Sequence, residues 1–281
     1  MKVFLYFCHS FIEKSSHYHP FLLINISYNK NPIVTMKKFM ILALLTVLSL
    51  TANAQNIQLH YDFGRHLYPN EEETRQIATL TFEHYRPDRL GSIFYFIDLD
   101  IYAKGLKGAY LEFSREFNIG KKGFAIHGEY NGGCTTSKGA TWAAQFQHAF
   151  LLGPAFNWHN SDYSFTCGVQ AMYKHYLKGV NNAKAYPGFQ LTGIWGWTFG
   201  KEKMFTFSGF IDFWRNHKGN DEYNVIMLTE PQFWFNLNGV TKAKTNLSIG
   251  TEIEISNNFV INEANSKTFF VNPTLALKWT M

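Results

Sequence analysis

The stretch Ile93-Phe94-Tyr95-Phe96-Ile97-Asp98-Leu99-Asp100-Ile101 decides how this chain folds. Its period is two. Ile93, Tyr95, Ile97, Leu99 and Ile101 leave one face of an extended strand, and Phe94, Phe96, Asp98 and Asp100 leave the other. The first face is wholly apolar and the second mixes rings with carboxylates. A strand built this way needs an apolar neighbour on one side and a wet one on the other.

The pattern recurs along the chain. Ile57, Leu59, Tyr61 and Phe63 alternate with Gln58, His60 and Asp62, and Leu111 and Phe113 with Glu112 and Ser114. Leu247, Ile249, Ile253 and Ile255 alternate with Asn246, Ser248, Glu252 and Glu254, and Phe269, Val271, Leu275, Leu277 and Trp279 with Thr268, Asn272, Thr274 and Lys278. Turn residues cut the chain into about twelve strands. They lie near 57–66, 77–86, 92–103, 108–119, 123–132, 140–158, 163–177, 187–199, 204–214, 223–236, 245–256 and 268–281. Most reach the roughly 9–11 residues that a tilted strand needs to cross a bilayer. The expected fold is all-β, an antiparallel transmembrane barrel.

The connections supply a second test. Short turns at 87–91, 120–122, 160–162 and 200–203 interleave with longer polar loops at 65–75, 131–139, 178–187, 215–222 and 257–267. Short periplasmic turns alternating with long outer loops is the barrel parity. The short 104–107 and the long 237–244 break it. A soluble β-sandwich is the alternative architecture, but it needs no such parity. Tyr85, Phe117, Tyr130, Phe156, Trp158, Tyr186, Phe213 and Trp279 near strand ends fit interfacial girdles better than one core.

An export signal agrees with this. Met36-Lys37-Lys38, the apolar run from Phe39 to Leu50 and Thr51-Ala52-Asn53-Ala54 form a basic, an apolar and a small-residue segment in the order of a secretory leader. Cleavage is expected after Ala54, with Ala52 and Ala54 as the small residues. Residues 1–35 then read as a misassigned extension, 36–54 as the signal peptide and 55–281 as the outer-membrane barrel. Losing 1–54 removes five lysines and one glutamate, so the net charge of +5 falls to about +1. No basic stripe remains for nucleic acid. Aromatic residues are 17% of the chain, and no second apolar run is long enough for a spanning helix. Cys134 and Cys167 form no disulfide framework, and spacing leaves their pairing open.

With strands, parity and leader in place, particular segments carry a resemblance. These are Leu80-Thr81-Phe82-Glu83-His84-Tyr85, Phe94-Tyr95-Phe96-Ile97-Asp98, Asn157-Trp158-His159 leading to Tyr173-Lys174-His175-Tyr176, and Glu230-Pro231-Gln232-Phe233. The chain resembles the nucleoside-specific channel-forming outer-membrane proteins (Tsx-like), a family of 12-stranded barrels, and uncharacterised relatives of that family. The resemblance implies residence in the outer membrane of a Gram-negative-type cell, contact with the lipid bilayer and the outer-membrane assembly machinery, and passage of nucleosides or other small polar solutes. Such barrels usually end on an aromatic residue. Here Trp279 stands two positions before Met281, on the same face.

The lumen face carries the candidate site. Phe94 and Phe96 are expected to stack a solute, Asp98 and Asp100 to orient it and exclude anions, and Glu112, Trp214 and Glu230 to complete the wall. Alternation leaves open whether the bore is an open pore or is filled by its own side chains, making a closed structural or interaction barrel. A lipid-modifying enzyme is the third class, because His159-Asn160-Ser161 has a His-x-Ser spacing. That segment reads better as a tight turn, so no enzyme is expected. Asp98-x-Asp100 alone is no metal site. The glycine run from Gly193 to Gly200 lacks dinucleotide spacing, so no cofactor is expected.

Overall fold

A computed structural model describes residues 55–281 except 74, 104, 137–142, 146, 180–183, 220–221, 242–243 and 261–266. The expected cleavage residues Ala52 and Ala54 lie outside the described residues. The alternating segments are strands: β1 (Gln55–Asp62), β2 (Ala78–Asp88), β3 (Gly91–Tyr102), β4 (Gly105–Ile119), β5 (Phe124–Thr136), β6 (Ala143–Gln145) and β7 (Ala149–His159). Then come β8 (Phe165–Tyr176), β9 (Tyr186–Phe199), β10 (Phe205–Gly219), β11 (Glu222–Thr229), β12 (Gln232–Asn236), β13 (Leu247–Asn257) and β14 (Phe269–Thr280).

Every pairing among the described strands is antiparallel, and most join chain neighbours. At the seam β14 returns to β1, with Asn56 opposite Thr280 and Asp62 opposite Thr274. β6 and β7 both pair with β5, and β11 and β12 both pair with β10 and β13. Each of these two sets is one interrupted stave, so the 14 segments close into a 12-stranded barrel. Closure leaves no sheet edge, the condition for a sheet to sit in lipid.

The break at Glu230-Pro231 has a local cause. Pro231 has no N–H to give the ladder, although its carbonyl still accepts from Ile253 at 3.0 Å. Opposite it, Gly209 has φ +159°, and a Cβ there would lie 2.6 Å from the Glu230 carbonyl oxygen. The two strand pieces keep one register, Ile211 with Thr229 and Ser208 with Gln232. Glu230-Pro231 is therefore an interruption within a stave rather than the opening of a strand.

Burial is inverted relative to a soluble protein. Leu152 (60% exposed), Leu275 (58%) and Val169 (55%) stand on the outer face, while Asn272 (0%), Gln58 (1%) and Lys174 (7%) are buried on the inner one. A continuous apolar exterior of this kind matches a lipid surroundings. The girdle expectation holds for Phe117, Phe156, Trp158, Phe213 and Trp279, which are exposed. It fails for Tyr186, whose ring stacks on Tyr176 at 4.4 Å and whose hydroxyl donates to Asn216 at 2.7 Å, on the inner wall.

Two boundaries move. β1 ends at Asp62 and not at 66, because the Asp62 carboxylate accepts the Gly64 N–H at 2.7 Å and turns the chain into the short helix α1 (Gly64–Leu67). β10 runs on to Gly219 and β11 starts at Glu222, so 215–219 and 222, expected in a loop, are strand. The short 103–104 connection and the long 237–246 connection, which holds α2 (Asn238–Thr241), stay the exceptions to parity.

Candidate functional site

The inner face is a polar network made by side chains two apart on one strand and by cross-strand partners. Asn56 donates to Glu83 at 2.8 Å, Thr81 to Asp98 at 2.5 Å and Thr79 to Asp100 at 3.2 Å. His127 lies 3.1 Å from Glu116 and 3.0 Å from Glu129, and Glu116 also accepts from Asn157 and Gln170. Lys174 donates to Gln190 at 2.7 Å, Thr192 to Asp212, and Gln232 to Glu252 at 2.6 Å.

The expected site residues sort as follows. Phe94 and Phe96 share the inner face, with ring centroids 5.9 Å apart, and Phe96 lies 5.8 Å from the ring of Tyr110. Tyr110 is the register partner of Asp98, and Glu112 that of Phe96, so these residues of β3 and β4 form one patch. All of them are half-buried, facing an interior space. Glu112 interacts electrostatically with Glu129, Asp212, Lys174 and His127. Glu230 does so with Glu252, Glu254, Asp98 and Arg75. Asp212 and Glu230 come from the wall opposite β3 and β4, so charges meet across the bore. Trp214 sits elsewhere: it packs beside Tyr176 and Met172, lies 5.1 Å under the Lys174 ammonium and meets Phe259 edge-on at 5.9 Å. Lys174 and Asp212 lie between it and the patch, both interacting with Glu112.

Sequence reasoning missed the loop between β1 and β2. It folds inward instead of standing outside as a polar loop. Arg75 donates to Asp62 at 2.9 Å, to Glu72 at 3.3 Å and, as a fork, to Glu254 at 3.2 and 2.8 Å. Asn272 donates to Glu72 at 3.0 Å, and the Tyr68 ring meets Phe270 at 5.2 Å. Gly64 is needed here, since a Cβ would lie 2.7 Å from both the Glu72 and the Asn272 oxygens. Burial works against the Arg75 charge, but Glu254, then Asp62 and Glu72, hold the guanidinium above its ordinary pKa. Burial also pushes the Glu72 carboxyl up, against the pull of Arg75. The run Glu71-Glu72-Glu73 just before Arg75 was the available signal, because a lone arginine after three acids in a loop has partners within reach.

Other candidates resolve simply. His159 places Nδ1 2.8 Å from the Asn160 carbonyl oxygen and stacks on Tyr163 at 3.8 Å. Asn160 accepts from the Phe165 N–H at 3.0 Å and Asp162 from the Ser164 hydroxyl at 2.9 Å, as a tight turn requires. Gln147 donates to the carbonyls of Leu177 and Lys184 at the loop end. Cys134 and Cys167 are free thiols.

The family described as a domain of unknown function, DUF5020, matches residues 54–281. No curated protein matches the chain. Among solved structures it is similar to the NanC porin, at 7% identity and TM-score 0.51 over 81% of this chain and 100% of that one. It is also similar to the KdgM porin (9%, 0.44, covering 82% and 99%) and to LpxR from Salmonella typhimurium (10%, 0.41, covering 82% and 100%). What the NanC likeness carries is the barrel fold.

Proposed function

Because the chain belongs to the DUF5020 family and closes as an outer-membrane β-barrel, we propose that it is a passive channel for small polar solutes that turns anions away. The observation that carries this reading is the inner wall. Half-buried Asp98, Asp100, Glu112, Glu230 and Glu252 face the bore, while Arg75 is forked onto Glu254, Lys174 is buried against Gln190 and Lys278 lies half-buried over the Trp234 ring. A bore whose wall carries more carboxylates than unpaired cations favours cations and neutral solutes. Nucleosides are the named candidates. They are uncharged, their bases stack on rings such as Phe94 and Phe96, and their hydroxyls donate to Asp98 and Asp100.

The test is single-channel conductance of the refolded barrel in planar bilayers, in a salt gradient, with adenosine or thymidine added. Cation-selective steps that nucleosides interrupt support the reading, and loss of the interruption in Phe94→Ala with Asp98→Ala supports the site. Unchanged flux in that double variant removes the site assignment. A second reading is a closed barrel that works through partners. It is favoured by the fully buried Trp234, Phe270 and Asn272, which fill part of the bore. Silence from a protein with the circular dichroism of folded strands selects it. We also propose that 36–54 is a leader cleaved after Ala54, with 1–35 a misassigned extension; a family match that begins at residue 54 supports a barrel domain starting there.

A further inference from the structure

We propose that the patch Phe94–Phe96–Tyr110 on the inner wall binds small organic ammonium ions, primary or quaternary amines with apolar substituents. The inference rests on the channel reading and names the solute class of the same wall.

The barrel shows how it treats its own ammonium groups. Lys174 lies 5.1 Å from the Trp214 ring centre and 5.2 Å from that of Tyr176. Lys278 lies 4.1 Å from Trp234, and Lys267 3.8 Å from Tyr68. Each ammonium is set over a ring face, where the quadrupole attracts it. The three rings of the patch are arranged for the same contact. Neighbouring centres are 5.9 and 5.8 Å apart with planes tilted by 51° and 46°, a bent strip whose members are half-buried and turned to the bore. Yet among the described residues no lysine or arginine lies over any of them.

Charge around the strip is unbalanced in the matching sense. Asp98 and Glu112 flank it on its own strands, and Asp212 and Glu230 face it from the opposite wall. The nearby cationic side chains have other partners: Lys174 has Gln190 at 2.7 Å and its own two rings, His127 has Glu116 and Glu129, and Arg75 has Asp62, Glu72 and Glu254. The Glu230 carboxylate accepts no hydrogen bond from a described residue. Carboxylates whose nearest cations are bonded elsewhere are costly in a low-dielectric bore, and a cation from solution that also covers a ring face offsets that cost. An organic ammonium gains both terms. A neutral base gains the rings alone, a metal ion keeps its water and gains the charge alone, and an anion gains neither.

The experiment uses the refolded barrel in planar bilayers, with choline and phenyltrimethylammonium as probes and thymidine as the neutral comparison. Ammonium probes are expected to block potassium current at lower concentration than thymidine. Phe96→Leu, which keeps apolar volume and removes the ring, is expected to weaken that block roughly 5- to 30-fold, the range for a desolvated cation–ring contact. Tyr95→Leu, on the lipid face of the same strand, leaves it unchanged. A conducting barrel that choline does not block better than thymidine, or whose block survives Phe96→Leu, overturns the proposal while the channel reading stands. If the folded protein does not conduct, the channel reading fails, and equilibrium binding of radiolabelled choline to detergent-refolded protein decides the site. Binding lost in Phe96→Leu keeps it, and no binding ends it.

Discussion

Replacing Arg75 by alanine should release the inward-folded loop. The guanidinium is 11% exposed and makes four hydrogen bonds to three carboxylates whose side chains are 4% (Asp62), 2% (Glu72) and 12% (Glu254) exposed. Solvent screening is therefore small, and removing the one cation leaves three acids facing each other. Breaking a buried ionic network from one side costs about 3–5 kcal/mol, which raises the loop's undocking equilibrium by roughly two to three and a half orders of magnitude. Hydrogen exchange by mass spectrometry over 63–77 reads this directly, because the N–H groups of Tyr68, Glu72 and Arg75 are bonded inside the docked loop. Arg75→Lys keeps the charge but cannot fork onto Glu254 while reaching Asp62, so it should fall between parent and alanine. Exchange in Arg75→Ala within threefold of the parent would refute the reasoning, since the loop would then be held by Tyr68 and its packing alone.

Three further outcomes follow from other parts of the barrel. Val169→Arg puts a charge on the lipid face within β8 and should cost up to about 2–4 kcal/mol in guanidinium unfolding from lipid vesicles; a loss below half of one would place Val169 away from lipid. Gly209→Val forces side-chain atoms against the Glu230 carbonyl and the Trp195 ring and should cost about 1–3 kcal/mol in the same assay. Gly128→Ala, where a Cβ meets nothing nearer than 3.9 Å, should be close to neutral. Intact-mass analysis of the exported protein should find Gln55 at the amino terminus, and a larger mass retaining 36–54 would end the leader reading.

What was legible in the sequence was whatever strand parity encodes. Parity is local, so Phe94, Phe96, Asp98 and Asp100 could be put on one inner face from their spacing, Glu112 on the inner face of the next strand and Glu230 on that of a distant one. It does not encode depth along the bore. That is why Trp214 looked like a companion of Phe94 and belongs instead with Lys174 and Phe259. Polar hairpins were the other weak point. Residues 215–222 read as a loop because nothing apolar alternates there, yet 215–217 pair in the ladder like the strand before them, Asn216 opposite Asn224. The folding-in of Arg75 depended on Glu254, which lies far along the chain and which no local pattern connects to it.

The seam between β1 and β14 has a consequence for how the molecule comes into being. The first strand finds its second neighbour only in the last one, Asn56 beside Thr280, so the pairing that closes the wall is also the one with the greatest separation along the chain. Loop-closure entropy delays such contacts. Until the last strand arrives, β1 and β13 both present open backbone, able to pair with any other chain. Assembly must therefore be all or nothing, with the half-made barrel as the aggregation-prone species and its lifetime set by how quickly one strand of twelve residues reaches the seam.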